Sequence, residues 1–106
     1  MSTAFRRFEI LLPLRFNDGR PVPDSLIADT LLELRRQFGA VSCETQTIHG
    51  TWQHHGQVFR DDLMRAFVDA PDTPASREFF VAFKERARAR FEQIDIWMTT
   101  YPIEVM

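Results

Sequence analysis

Three histidines, His49, His54 and His55, lie close together, and Asp61 and Asp62 follow them. A histidine paired with a carboxylate can work as a general base or as part of a metal site. If the chain folds back at His55-Gly56, His49 opposes Asp62. A slip of one residue would place it opposite Asp61 instead. Zinc requires three or four ligands converging at fixed spacing. His54 and His55 are neighbours, so on a strand they point to opposite faces. The group therefore reads as exposed turn histidines with one cross-strand ion pair, and no metal or other cofactor is expected.

Cys43 is the single cysteine. A nucleophilic thiol needs a nearby base and some exposure. The β-branched and apolar pattern around Cys43 predicts a buried packing thiol beside Val68. No phosphate loop, paired-glycine fingerprint or nucleophile elbow occurs. Twelve of the 13 basic residues are arginine and only Lys84 is lysine. Arginine can grip carboxylate or phosphate with a fork. Here the arginines are scattered along the chain, which reads as compositional bias.

These side chains must be positioned by a small set of elements. Residues 7–16 alternate, with Phe8, Ile10, Leu12, Leu14 and Phe16 on one face and Arg7, Glu9, Leu11, Pro13 and Arg15 on the other. That period marks a strand. Asn17-Asp18-Gly19 marks a turn. A helix follows, entered at Pro23, Asp24 or Ser25, with Ile27, Leu31, Leu34 and Phe38 as its apolar stripe and Gly39 as its stop. Residues 40–49 and 57–70 form two strands of a hairpin turning at His55-Gly56. Counted back from that turn, Val41 pairs with Ala70, Cys43 with Val68, Thr45 with Ala66 and Thr47 with Met64. Trp52 pairs with Phe59, a contact that adds about 0.5–1 kcal/mol to the hairpin. Thr73 caps a second helix with Pro74 at its first position. Phe80, Phe83, Ala87 and Phe91 are its buried stripe. Residues 94–101 form the last strand, with Pro102 interrupting it and Ile103 and Val105 available for a short extra one.

The order βαββαβ predicts an α+β fold: a ferredoxin-like sandwich of four antiparallel strands in order 4-1-3-2, two helices on one face, and a long hairpin between strands two and three. The chain of 106 residues suits one domain, 1–106, with one core. At 44% hydrophobic and 26% charged residues it is an ordinary globular composition. Its net charge of −2 gives no bulk attraction to nucleic acid. The aromatic and basic pattern of an RNA-recognition domain is also missing from Asp62–Val68. No run reaches the roughly 18 apolar residues of a membrane helix. The segment Ile10–Leu14 lacks the order of a signal peptide. One cysteine excludes an internal disulfide. A cytoplasmic location is expected, with neither a nucleic-acid nor a membrane partner.

Along its whole length the chain resembles a group of small uncharacterised bacterial proteins with ferredoxin-like topology. The resemblance rests on Asn17-Asp18-Gly19 with Pro21-Val22-Pro23, Phe38-Gly39, Gly50-Thr51-Trp52 with Gly56, Phe59-Arg60-Asp61-Asp62, and Val68-Asp69-Ala70-Pro71-Asp72. These are landmarks of the fold. The resemblance implies no catalytic residues.

The functional expectation comes from the face of the sheet that the helices leave open. Strand periodicity places Leu11, Leu63, Arg65, Phe67 and Trp97 there, with Ile48, Tyr101 and Pro13. A solvated antiparallel face is usually polar. Apolar surface of this kind marks self-association, a ligand platform, or a face covered by the chain's own tail. We expect a non-catalytic binding or accessory domain that forms a homodimer through this face, so that Phe67→Glu yields a soluble monomer. His49, Trp52 and Phe59 lie on the hairpin arm, where Trp52 is within reach of a partner subunit. The alternative is a dimeric α+β barrel enzyme, of the cofactor-independent monooxygenase or isomerase type, acting on a small hydrophobic substrate. Its polar groups would be Arg65, Glu44 and His49, with Trp97 lining the pocket.

Overall fold

The structure, a computed structural model, describes residues 4–106. The first strand, β1, runs Phe5–Pro13 and sends Phe8, Ile10 and Leu12 into the core, as its alternation requires. Helix α1 spans Asp24–Phe38. Pro23 occupies its N-cap without a side-chain cap bond, and Gly39 ends it at φ +87°, a backbone that glycine adopts without strain. Helix α2 spans Pro74–Arg90, and the Thr73 hydroxyl accepts the Ser76 amide at 3.2 Å. All four residues of its expected stripe are buried.

The remaining strands are β2 (Ser42–Cys43), β3 (Ile48–His54), β4 (Gln57–Pro71) and β5 (Met98–Ile103). All pairings are antiparallel, and the lanes run β2, β4, β1, β5, with β3 following β2 along the same side of β4. This is the ferredoxin-like order expected, with strand two split into β2 and β3. Both helices pack on the face that carries Phe8, Ile10, Leu12, Ala66, Val68 and Ala70. Phe80 lies between Phe8 and Phe38, with ring centres 4.0 and 5.1 Å away. Each buried ring of this kind contributes about 1.5–3 kcal/mol. Glu33 of α1 ties the two helices together by accepting from Arg86 at 2.9 Å and Arg90 at 3.0 Å.

Three expectations need correction. Thr45 and Thr47 do not pair with β4: the chain leaves the ladder after the Glu44 amide bonds the Arg65 carbonyl at 2.9 Å, and Cys43 faces Ala66 rather than Val68. Val41 likewise lies outside any strand. Cys43 is exposed, because β2 is a short edge strand. Pro13 does lie on the open face, beside Leu63, and is fully buried there. The last strand starts at Met98, not residue 94, and runs through Pro102 to Ile103. An edge strand tolerates a proline because one row of its backbone groups needs no partner.

The hairpin arm turns at His55 (φ +49°) and Gly56 (φ +78°), the left-handed pair that a two-residue turn demands. His54 faces Gln57 and Trp52 faces Phe59, in the expected register. On β4, β1 pairs only from Leu63 onward, with one further bond from the Leu14 amide to the Asp62 carbonyl. The outer part of the arm is therefore a two-stranded ribbon with both long edges open among the described residues. The described residues include no helix long and apolar enough to cross a membrane.

Candidate functional site at the base of the hairpin arm

Odd-numbered residues of β1 and β4 face away from the helices and divide the open face in two. One half is polar. Arg7 donates twice to Asp69, at 2.7 and 3.0 Å, and its guanidinium lies 4.4 Å from the centre of the Phe67 ring. The Asp69 carboxylate raises the pKa of Arg7. Tyr101 donates to Glu9 at 2.7 Å, and that bond raises the phenol above its usual range. Glu9 lies 3.6 Å from Arg65, which also donates to Glu44 at 2.8 Å and is raised by that bond. Tyr101, Glu9, Arg65 and Glu44 thus form one row across all four lanes, from β5 to the residue after β2.

Phe67 belongs to this half. The expectation of a free apolar patch around it needs correction, because Arg7 covers the half-buried ring.

The other half is apolar. Leu11 and Leu63 meet Trp97 and the arm residue Trp52 around a cavity of about 790 Å³. Its far wall is the irregular segment 93–97, where Ile96 is buried and Trp97 is 66% exposed. The wall is held by Asp95, which accepts the Ile96 amide at 2.9 Å and Lys84 at 3.3 Å. The Leu11 amide donates to the Trp97 carbonyl at 3.0 Å, which fixes the end of that wall against β1. The floor is opened by Gly50: a methyl group there would come within 3.2 Å of the Leu63 side chain. Gly50 stands opposite Asp61, so the Trp52 indole reaches diagonally over it and donates to Asp61 at 2.5 Å.

The structure therefore brings together Leu11, Leu63, Trp97 and Trp52, with Phe59 stacked on Trp52. It does not bring His49 to them. His49 sits on the opposite face of the arm, 81% exposed at its side chain, with its Nδ1 2.8 Å from Asp62. Arg65 and Glu44 pair with each other in the polar half. Of the four residues expected to serve an enzyme, Trp97 alone lines the cavity. Asp61, Gln93 and Asp95 were not singled out for this site by sequence. A tryptophan N–H usually takes an acceptor when it is covered, and a glycine opposite a carboxylate leaves the route open. That combination was the available signal for Asp61. Among the described residues, no three histidine, cysteine or acidic side chains converge as metal ligands. The arrangement offers an apolar, aromatic recess with acceptors at its edge, which suits holding a ligand.

No protein-family model matches the chain, and no curated protein sequence matches it. Solved structures do share its fold. A phage SAM lyase in complex with S-methyl-5′-thioadenosine superposes with a TM-score of 0.68 at 15% identity, covering 99% of this chain and 92% of that one. The divalent cation tolerance protein Cut A1 from Thermus thermophilus gives 0.64 at 16% identity, over 96% of this chain and 86% of that one. CutA1 from Oryza sativa gives 0.61 at 13% identity, over 99% and 84%. At these identities the likeness establishes the ferredoxin-like fold.

Proposed function

We propose that the protein is a single-domain, homo-oligomeric binding module of the cytoplasm. Its apolar half-face and hairpin arm meet a second copy, and the recess between them holds a small ligand. One observation carries this reading: Trp97 and Trp52 flank an apolar recess beside a ribbon with two open edges. A two-stranded ribbon is marginal alone in water, so a second surface along it would stabilise it. The polar half-face, with its charges already paired, would form the rim.

The test is solution mass by light scattering over a range of concentrations. The parent should weigh a multiple of its 12.4 kDa. Trp97→Ser removes an exposed ring with little threat to folding and should shift the mass toward one chain. Leu63→Glu should do so more completely, with circular dichroism to confirm that it folds. A parent of one-chain mass at every concentration overturns the association.

The enzyme reading keeps one supporting observation, a recess whose volume falls in the usual range for small-molecule sites. An α+β barrel enzyme would use a pocket between sheet and helices, whereas that side is filled by Phe8, Ile10, Phe80 and Phe83. Recovery of a chemically altered product after incubation with a bound hydrophobic compound would favour catalysis over binding.

A further inference from the structure

The recess is walled by apolar and aromatic groups, but its strongest polar groups share one character. Asp61, Asp95 and Gln93 all present acceptors, and among the described residues no arginine or lysine lines it. One Asp61 oxygen takes the Trp52 indole at 2.5 Å, while the other has no partner among the described residues. Gln93 is 7% exposed, and its amide nitrogen donates to the Phe91 carbonyl at 3.0 Å. Its amide oxygen is left to accept. Asp95 engages Lys84 and the Ile96 amide through the same oxygen, which leaves the second. Thr51, Gln53 and His54 can donate or accept and so do not discriminate.

A ligand that fills this space must donate hydrogen bonds while covering Trp52 and Trp97. An anion would meet the Asp61 carboxylate with no lining cation among the described residues, and Lys84 is already taken by Asp95. A neutral apolar ligand would strip water from Asp61 and return nothing to its open oxygen. We propose that the recess binds a small organic ammonium ion carrying an apolar or aromatic body. The body packs between Leu11, Leu63 and the two indoles. The ammonium N–H groups donate to Asp61, and the indole faces attract the positive charge. This deepens the binding half of the proposed function and rests on the recess, not on the number of copies.

The chain has two tryptophans, and both line the recess, so its intrinsic fluorescence reports the site. The probes are phenethylammonium, phenethyl alcohol and hydrocinnamate, which share a body and differ in charge. Phenethylammonium should give a saturable change. The alcohol and the anion should bind at least about tenfold more weakly. Asp61→Asn keeps an acceptor for the Trp52 indole and should weaken the cation about tenfold. Glu78→Gln, an equal charge change at an exposed position of α2, should leave binding unaltered. Equal affinity for the three probes, or no saturable response to any of them by fluorescence and calorimetry, overturns the proposal. If Asp61→Asn fails to fold, the probe series on the parent still decides. Solution mass measured on the same samples separates the two readings. An oligomer that binds no probe removes the ammonium site, and a monomer that binds phenethylammonium removes the association.

Discussion

Trp52 lies almost flat on Phe59, with ring centres 4.4 Å apart and planes 17° from parallel. The stack joins the two strands of the arm where no third strand reaches them. It also sets the angle at which the indole meets Asp61. One contact thus holds the ribbon together and shapes a wall of the recess.

Phe59→Ala should therefore act locally. It removes the ring that supports Trp52, at a cost of about 1–2 kcal/mol to the arm. Amide exchange should quicken from Gly50 to Arg60, while the amides of β1 keep their protection. Uniform loss of protection across the sheet would show that the arm and the core unfold together.

Arg7→Ala should uncover Phe67. The guanidinium now masks that ring while held by Asp69. The variant should bind an apolar dye more strongly than the parent and aggregate sooner, with the core intact. Unchanged dye binding would mean that Phe67 is covered by something besides Arg7.

Glu33→Gln tests the clamp between the helices. Burial pushes the Glu33 carboxyl up, but Arg90 and Arg86 outweigh it and leave it below its usual 4.5. A carboxylate lowered in the folded state stabilises above the unfolded pKa, and that stability is lost as pH falls through the folded value. The substitution should cost roughly 1 kcal/mol at neutral pH, because the pair is partly solvated. The difference in melting temperature should shrink in acid. A constant difference at all pH values would rule out the charge as its source.

Tyr101 is the only tyrosine, so an ultraviolet titration of the chain reads it alone. Its bond to Glu9 holds the phenol above its ordinary 10.0. Folding is favoured by this bond below the unfolded pKa, and the benefit is lost as pH rises through the folded value. Glu9→Gln should bring the midpoint down toward the ordinary one. A midpoint that stays put would assign the shift to burial.

Much of this fold was legible because its strongest signals were physical necessities. The alternation from Phe8 to Phe16 could serve only a half-buried strand. Thr73-Pro74 could open a helix but not continue one, and His55-Gly56 had the backbone freedom for a tight turn. The register of strand two was less legible. Glu44, Thr45, Gln46 and Thr47 are polar residues at an edge, and no buried side chain there makes a slip costly. The segment 93–97 misled for the opposite reason. Ile94, Ile96 and Met98 alternate as a strand would, yet only Ile96 is fully buried, and Asp95 bonds back to the Ile96 amide. The site was half legible. Leu11, Leu63 and Trp97 were expected on the open face, and Trp52 only on the hairpin arm. Their union around a recess depended on the wall at 93–97, which hydrophobic pattern did not reveal.

The break at residues 45–47 separates two ladders that would otherwise be one strand. Ser42-Cys43 align with Phe67 and Ala66, two residues out of step with the register of β3 beyond the break. The arm can therefore gain or lose residue pairs without sliding the sheet beneath it. Changing its length should alter the reach and depth of the recess while sparing the core.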